Sequence, residues 1–580
     1  MCIRDRSVTV DNTLNYAFSG TGALAGHTAL VKRGSGMLTI SNDNTYTGGT
    51  RISGGTVSVN MLSNSTRAYG GLGGVVESAD LFVIENGATL RTTETVTQGS
   101  PMKMEGEDGG CVENLKDFII ETPVEGTLLT KKGDGWMKLN TACPSLERLA
   151  LDGGTVQCVA CDKPARTVEF RSGTLYENTG SSYAIHVPEG GSGTWSLANR
   201  STYTNKITGE GTLTIYCAVE HGNGWFATRT PVAVNLAQFT GTINATADMA
   251  DTYPRFTLNT SSGMPDGTLN IAGGVTVQNT GRTFRIGKLA GKGALGGYAS
   301  FANDGATGVN TWQVGCDDDF AWAGTVTANS KFEKVGSGKM TVSGVWDNTG
   351  EVAVKEGTLC LNDRSAENAM LGSGELSVED GAVLCGLGKL GNASVTVERG
   401  GRLYSGTREG ASSGALDFSG KRLTVSAGGE VMFNVASKVR CTTLEGISSF
   451  SLRGTLKVSV RERLELEAGD EFQLWTANRT VLSSACTLDL DSPGEGLEWD
   501  TSALEDGVLK VKTATGITGV VSGEPVDCVV YTLDGARAGY FTCMPSEVRE
   551  YMEENGFKSG MYMVKMTQGQ RTVSRKVTVD

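Results

Sequence analysis

Nineteen positions separate paired glycine turns in three stretches of this chain, and that spacing constrains the fold more than any other feature. Gly36 to Gly55, Gly135 to Gly154 and Gly338 to Gly357 each span it (55 − 36, 154 − 135, 357 − 338). Every first turn is a Gly-x-Gly, formed by Gly34 and Gly36, Gly133 and Gly135, or Gly336 and Gly338. Lys32, Lys131 and Lys334 stand at one offset before it, and Ile52, Leu151 and Val354 at one offset before the second turn. Between turns lie alternating runs such as Met37 to Ile40 and Thr56 to Val59, the pattern of strands with one buried face. A strand-turn-strand-turn unit of about 20 residues cannot bury its apolar face alone, so it predicts one coil of a β-solenoid stacked between others. The glycines read as corners at positive φ.

A chain of 580 residues exceeds a single ordinary core, which leaves several domains or one long array. Its 80 glycines against 11 prolines favour many tight turns over a Pro-rich linker. A net charge of −13 with no basic segment excludes a nucleic-acid footprint. No apolar run reaches the length of a membrane-spanning helix. The start, MCIRDRSVTV, passes straight into strand alternation without the apolar stretch of a secretory signal. Residues 1–7 read as a non-native start, and the chain as an N-terminally truncated fragment.

Residues 8–440 form the predicted array, clearest at 30–60, 128–159 and 285–362; residues 61–127 read as a loop-rich insertion or degenerate coils. The longer, more charged strands of 441–512 suit a terminal cap over an exposed coil. Residues 513–523 are small and polar, a linker. Residues 524–580 read as a separate compact β module. It has a strand turning at Asp534-Gly535, a short helix with Val548, Tyr551 and Met552 at helical spacing, a stop at Asn555-Gly556, and a closing hairpin turned at Gln568 to Gln570.

The first repeat resembles the autotransporter-associated β-strand repeat of bacterial surface passengers. The matching residues are Lys32, Gly34, Gly36, Leu38, Ile40, Asn44, Tyr46, Gly48, Thr50 and Gly55. The copy at 334–361 keeps Lys334, Gly336, Gly338, Thr349, Gly350 and Gly357, with Trp346 and Asn348 where Asn and Tyr are usual; that at 131–158 lacks the Asn-Tyr part. This resemblance implies a right-handed parallel β-helix outside the cell with no fixed catalytic residues. The last module resembles the C-terminal sorting domain of the type IX secretion system of Bacteroidetes, on Tyr531, Leu533, Gly535, Arg537, Gly560, Tyr562, Val564 and Lys576. That family implies a small immunoglobulin-like sandwich, with the type IX machinery as partner and an itinerary through periplasm and outer membrane to the surface or medium. Ala536 and a helical insert at 546–555 depart from its pattern.

Chemistry has little material. GKGALG at 291–296 and GLGKLG at 386–391 lack the following helix of a dinucleotide site and read as corners. Asp317-Asp318-Asp319 lacks the spacing of a calcium loop and reads as a solvated turn. His27, His186 and His221 lie far apart in sequence. Cys158 and Cys161 are the one close pair among 13 cysteines, and read as buried residues or a local disulfide. Trp225, Phe226, Trp312 and Trp322 read as core filling. No cofactor or metal is predicted. The expectation is a non-catalytic, adhesin-like stalk or binding surface, with host or matrix glycans or proteins as possible ligands. The competing expectation is a carbohydrate-active β-helix, a polysaccharide lyase or hydrolase or a glycan binder. A groove holding two carboxyl groups roughly 5–9.5 Å apart beside exposed aromatics would favour catalysis, and a smooth face of Thr, Ser and Asn would oppose it. A third possibility is a spacer for a functional domain upstream.

Overall fold

The alternating runs lie parallel, side by side and one coil apart, in the computed structural model. It describes residues 7–177, 180–197, 203–217, 231–247, 255–258, 262–279, 281–297, 310–327, 330–362, 371–514, 524–569 and 571–579. The start at 1–6 and nearly all of the linker at 513–523 therefore lie outside the described residues. Two units are distinguished, residues 7–377 with 391–393, and residues 378–390 with 394–579.

In the first unit, inward side chains stack into columns through parallel register. One column runs Leu38, Val57, Leu90, Val112, Lys131, Leu151 and Phe170, each beside the next. Every member is fully buried, and each apolar one stabilises the stack by roughly 1.5–3 kcal/mol. The neighbouring column runs Lys32, Ile52, Ile84 and Met104. The first and second repeats therefore sit in adjacent columns: Lys131 continues the column of Leu38, not that of Lys32. Residues 82–132 are regular coils, so most of the stretch at 61–127 continues the array in register. The excursion is confined to the segment between Val59 and Phe82, which carries a short antiparallel pair, Tyr69–Gly70 with Gly73–Gly74, and a 3-10 turn at Ala79–Leu81.

In the second unit a parallel column passes through Leu384, Leu403, Val431, Leu456 and Leu488. An antiparallel hairpin, Glu430–Ser437 with Arg440–Ile447, leaves this ladder, so residue 440 falls inside a hairpin and the parallel array extends into the predicted cap. Antiparallel pairing then takes over in a three-stranded sheet of Glu471–Gln473, Val508–Thr513 and Leu497–Asp500.

The C-terminal module is a four-stranded antiparallel sheet in the order Arg537–Cys543, Val526–Thr532, Gly560–Gln568, Arg571–Val579. Its helix, Val548–Glu554, buries Val548 and Met552 in one core with Val526, Val530, Phe541, Val564 and Val577. The predicted helix and its end before Gly556 are both present. Among the described residues the layer facing this sheet is a helix, and the second sheet of an immunoglobulin-like sandwich is not among them.

Candidate functional site

The repeat glycines sit at several corners of the coil, those of the first and second repeats at successive ones, and crowding explains most of them. Gly34, Gly55, Gly133, Gly154, Gly336 and Gly357 take φ between +61° and +78°, as expected of corners. Gly36, Gly48, Gly135, Gly338 and Gly350 do not. Their requirement is contact: a Cβ on Gly36 would fall 2.9 Å from the Leu14 carbonyl carbon, and one on Gly338 would fall 2.6 Å from that of Asp318. Gly48 and Gly350 press likewise on backbone at Thr28 and Ser330. Backbone packs on backbone from coil to coil, leaving no room for a side chain.

The repeat lysines plug these corners from inside. Lys32, Lys131 and Lys334 are fully buried. Lys334 Nζ donates to the carbonyls of Val335 (3.0 Å), Gly336 (2.7 Å) and, one coil on, Glu356 (3.0 Å). Lys32 meets Arg33, Gly34 and Gly54, and Lys131 meets Lys132, Gly133 and Gly153, in the same arrangement. An ammonium has three donors, and each is taken. Burial pushes Lys131 and Lys334 down to about 8, and shifts Lys32 in the same direction against the attraction of Asp11. Asn44 and Tyr46 are interior polar fixtures as well: Asn44 bridges Leu24 N and Gly71 O, and the Tyr46 hydroxyl bonds Thr50 Oγ1 at 2.7 Å.

The residues that suggested a sorting motif all lie on the terminal sheet or its turns. Gly535 (φ +89°) makes the turn after Tyr531 and the exposed Leu533. Arg537 sits over the Tyr540 ring. Gly560 opens the strand that buries Tyr562 and Val564, and the Tyr562 hydroxyl donates to Lys558 O at 2.9 Å. Lys576, exposed, pairs with Met563 on the edge strand.

The remaining candidates resolve into structure. Asp317 accepts from Ser337, Asp318 pairs with Lys288 at 2.7 Å and Asp319 accepts from Lys339 N, so the three carboxylates diverge to separate partners. Among the described residues no group of three His, Cys, Asp or Glu side chains could hold a metal ion. His27 and His186 bond threonines on neighbouring coils; His221, Trp225 and Phe226 lie outside the described residues. Trp312 and Trp322 are buried core. The two GxGxxG segments lie at the ends of strands Thr283–Gly291 and Val383–Lys389. Cys158 and Cys161 are both buried, at the end of a strand rather than the start of a helix.

A cleft of about 260 Å³ opens in the second unit beside Tyr404, Ser405, Phe433, Asn434 and Thr442. Glu409 is the one carboxylate on its wall, 3.8 Å from Arg402. Close carboxylates on adjacent coils occur elsewhere, at Glu85 and Glu105, where both are held by Arg51 (2.5 and 3.0 Å) as an ion-pair ladder.

One buried carboxyl group went unnoticed in the sequence. Glu177 faces inward beside Cys158 and Leu197, only 1% exposed. It accepts from the Tyr183 hydroxyl (2.5 Å), Trp195 Nε1 (2.8 Å) and Ser181 Oγ (3.0 Å). The signal was available, because alternation from Leu175 places Glu177 on the buried face. Burial raises its pKa from 4.5 to about 7 despite these bonds. Between those values the folded chain holds a proton that the unfolded chain releases, so stability falls as pH rises, by up to roughly 3 kcal/mol. Glu177→Gln keeps an acceptor and removes the titration. Urea midpoints at pH 5 and 7.5 are expected to differ markedly in the parent, and this difference should shrink in the variant; an unchanged difference would assign it elsewhere.

The coil described first is the one that a known family recognises. Residues 30–59 match the passenger-associated-transport-repeat. No curated protein matches the chain. The passenger repeat thus lies on a parallel β-solenoid, as the resemblance implied, and the match covers Lys32, the Gly34 and Gly36 corner, Tyr46 and the Gly55 corner. A repeat of this kind suggests an autotransporter passenger, and so a surface or secreted protein. No helix among the described residues is long and apolar enough to cross a membrane, which says nothing of a β-barrel.

Proposed function

We propose that this chain is a non-catalytic β-solenoid displayed on the cell surface or secreted, an adhesin-like stalk or binding surface whose C-terminal module is its export signal to type IX secretion machinery. The observation that carries this reading is the match of residues 30–59 to a passenger repeat, set within a ladder of parallel coils. Rows of Thr and Asn running from coil to coil on the first unit support a binding role. The export assignment rests on residues 531–537 and 560–576 and on a module with its own core. Deleting residues 522–580 is expected to leave the protein in the periplasm, checked by fractionation and surface protease accessibility. Surface display of the truncated chain would overturn the type IX assignment while leaving the stalk reading in place.

A further inference from the structure

The outer face of one sheet in the first unit differs from the rest of the solenoid surface. Parallel strands within residues 136–139, 155–158, 174–177, 194–197, 212–217, 242–247 and 268–271 bury Met137, Val156, Leu175, Trp195, Ile215 and Ile271. Their alternate residues point the other way. One outward row reads Thr155, Thr174, Thr194, Thr214, Asn244, Asn270 from coil to coil; the next reads Lys138, Gln157, Tyr176, Ser196, Tyr216, Thr246. Lys138 is the only charged residue in either row, and Asp117 neutralises it at 2.7 Å. By contrast, the sheet carrying Arg51, Glu85, Lys103 and Glu105 is laced with ion pairs. On a chain of net charge −13, an uncharged face of hydroxyls and amides selects against charged partners.

Aromatic rings recur along this face, on its first, third and fifth strands. Trp136 heads the threonine row, 40% exposed, with its ring centroid 6.2 Å from that of Tyr176 in the next row. Tyr216 follows two coils beyond Tyr176, a separation of roughly 9–10 Å at the ordinary strand spacing. Flat rings bind the C–H faces of sugars, as amphipathic partners with a polar rim. Hydroxyl and amide side chains at the same height exchange hydrogen bonds with sugar hydroxyls. Two pyranose rings of an extended chain span about the distance between the two tyrosines, so such a chain lying across the coils meets successive rings in step.

We propose that this face binds an extended, neutral polysaccharide, stacked on Tyr176 and Tyr216 with Trp136 packed beside Tyr176, and hydrogen-bonded by Thr174, Thr194 and Ser196. The proposal deepens the binding-stalk reading and rests on it. The test is co-sedimentation of the full chain with cellulose, chitin and insoluble β-1,3-glucan, with immobilised heparin as the acidic control. Retention on at least one neutral polymer is expected, with little on heparin. Tyr176→Ala and Tyr216→Ala should each weaken it about tenfold, since aromatic anchors dominate such contacts, without shifting the thermal midpoint by more than a few degrees. Thr89→Ala, on another face of the coil, should leave binding unchanged. Failure to bind any neutral polymer, equal binding by the aromatic variants, or equal retention on heparin would overturn the proposal. So would a concentration-dependent dimer abolished by Trp136→Ala, which would make the face a contact between two copies. Adhesion of expressing cells separates the two levels: adhesion that survives the double variant rejects this face alone, whereas no adhesion by the parent chain rejects the stalk reading.

Discussion

Gly338→Ala is expected to destabilise the first unit by about 3 kcal/mol, at the upper end of overpacking costs, although it adds a single methyl group. The backbone at Gly338 is not in the left-handed region, so the loss comes from collision alone. The new Cβ would meet the Asp318 carbonyl carbon at 2.6 Å and the Cys316 oxygen at 2.8 Å. Both belong to the preceding coil, and neither can yield without separating strand Phe320–Trp322 from Lys339–Val342. Gly190 supplies the comparison. It has φ +71° with nothing near the position of a Cβ, so Gly190→Ala should lose only about 1 kcal/mol of backbone strain. Urea midpoints of the two variants, with hydrogen exchange over residues 320–342, decide the matter. Equal losses would mean that backbone conformation governs the corners and stacking does not.

Lys334→Met should cost a similar amount, about 3 kcal/mol, for the opposite reason. Replacing a buried ion by an apolar side chain is often harmless where the partner can be replaced too. Here the partners are the backbone carbonyls of the buried Val335 and Gly336, and that of Glu356 one coil on, and all three lose their donor. Each orphaned acceptor costs roughly 1–3 kcal/mol, partly offset by no longer desolvating an ammonium. The surface neighbour Lys331, paired with Glu351 at 3.2 Å and 42% exposed, is the control; Lys331→Met should change stability by less than about 1 kcal/mol. The lysine also leaves a titration mark. Its folded pKa, held down to about 8 by burial, lies below the ordinary 10.5. The unfolded chain therefore binds more protons between those values, and stability should climb with pH across that window in the parent and climb less in Lys334→Met. A flat parent profile from pH 8 to 10 would place the ammonium in contact with water.

The solenoid was legible because its corners impose a fixed chain length between two strands. Lys32 to Met37 and Lys334 to Lys339 cover the same distance, and the 19-residue spacing follows. What the spacing hid was phase. Lys131 falls in the column of Leu38 because the second repeat turns at the next corner of the circuit, while the Lys32 column passes through Ile84 and Met104 to Gly126. Sequence distance alone does not count faces. The glycines were found for a reason that is half right: positive φ accounts for Gly34 and Gly336, but Gly36 and Gly338 answer to backbone in another coil, which local sequence cannot show. In the sequence Lys32 marks only the approach to a turn; its full burial follows from the three carbonyls that converge on its ammonium. The uncharged face was spread over seven strands and 135 residues (136–270), so no window of sequence displays it. Glu177 was readable in principle, yet a glutamate at a buried strand position stands out only when its neighbours are known.

The plugged glycine corner has a further consequence for how such a chain can vary. At that edge the connection is short in coil after coil, from Arg33 to Met37, from Ile52 to Thr56 and from Glu85 to Thr89. On the far side of the circuit its length varies: Ile40 reaches Thr50 directly, whereas Val59 reaches Phe82 only after the 3-10 turn and the small antiparallel pair. The fold thus behaves like a bound book, with a spine that accepts no added thickness and an open edge at which pages can differ in width. Lengthening at the open edge leaves the stitching untouched, so new decorations can be acquired there one coil at a time without refolding the rest.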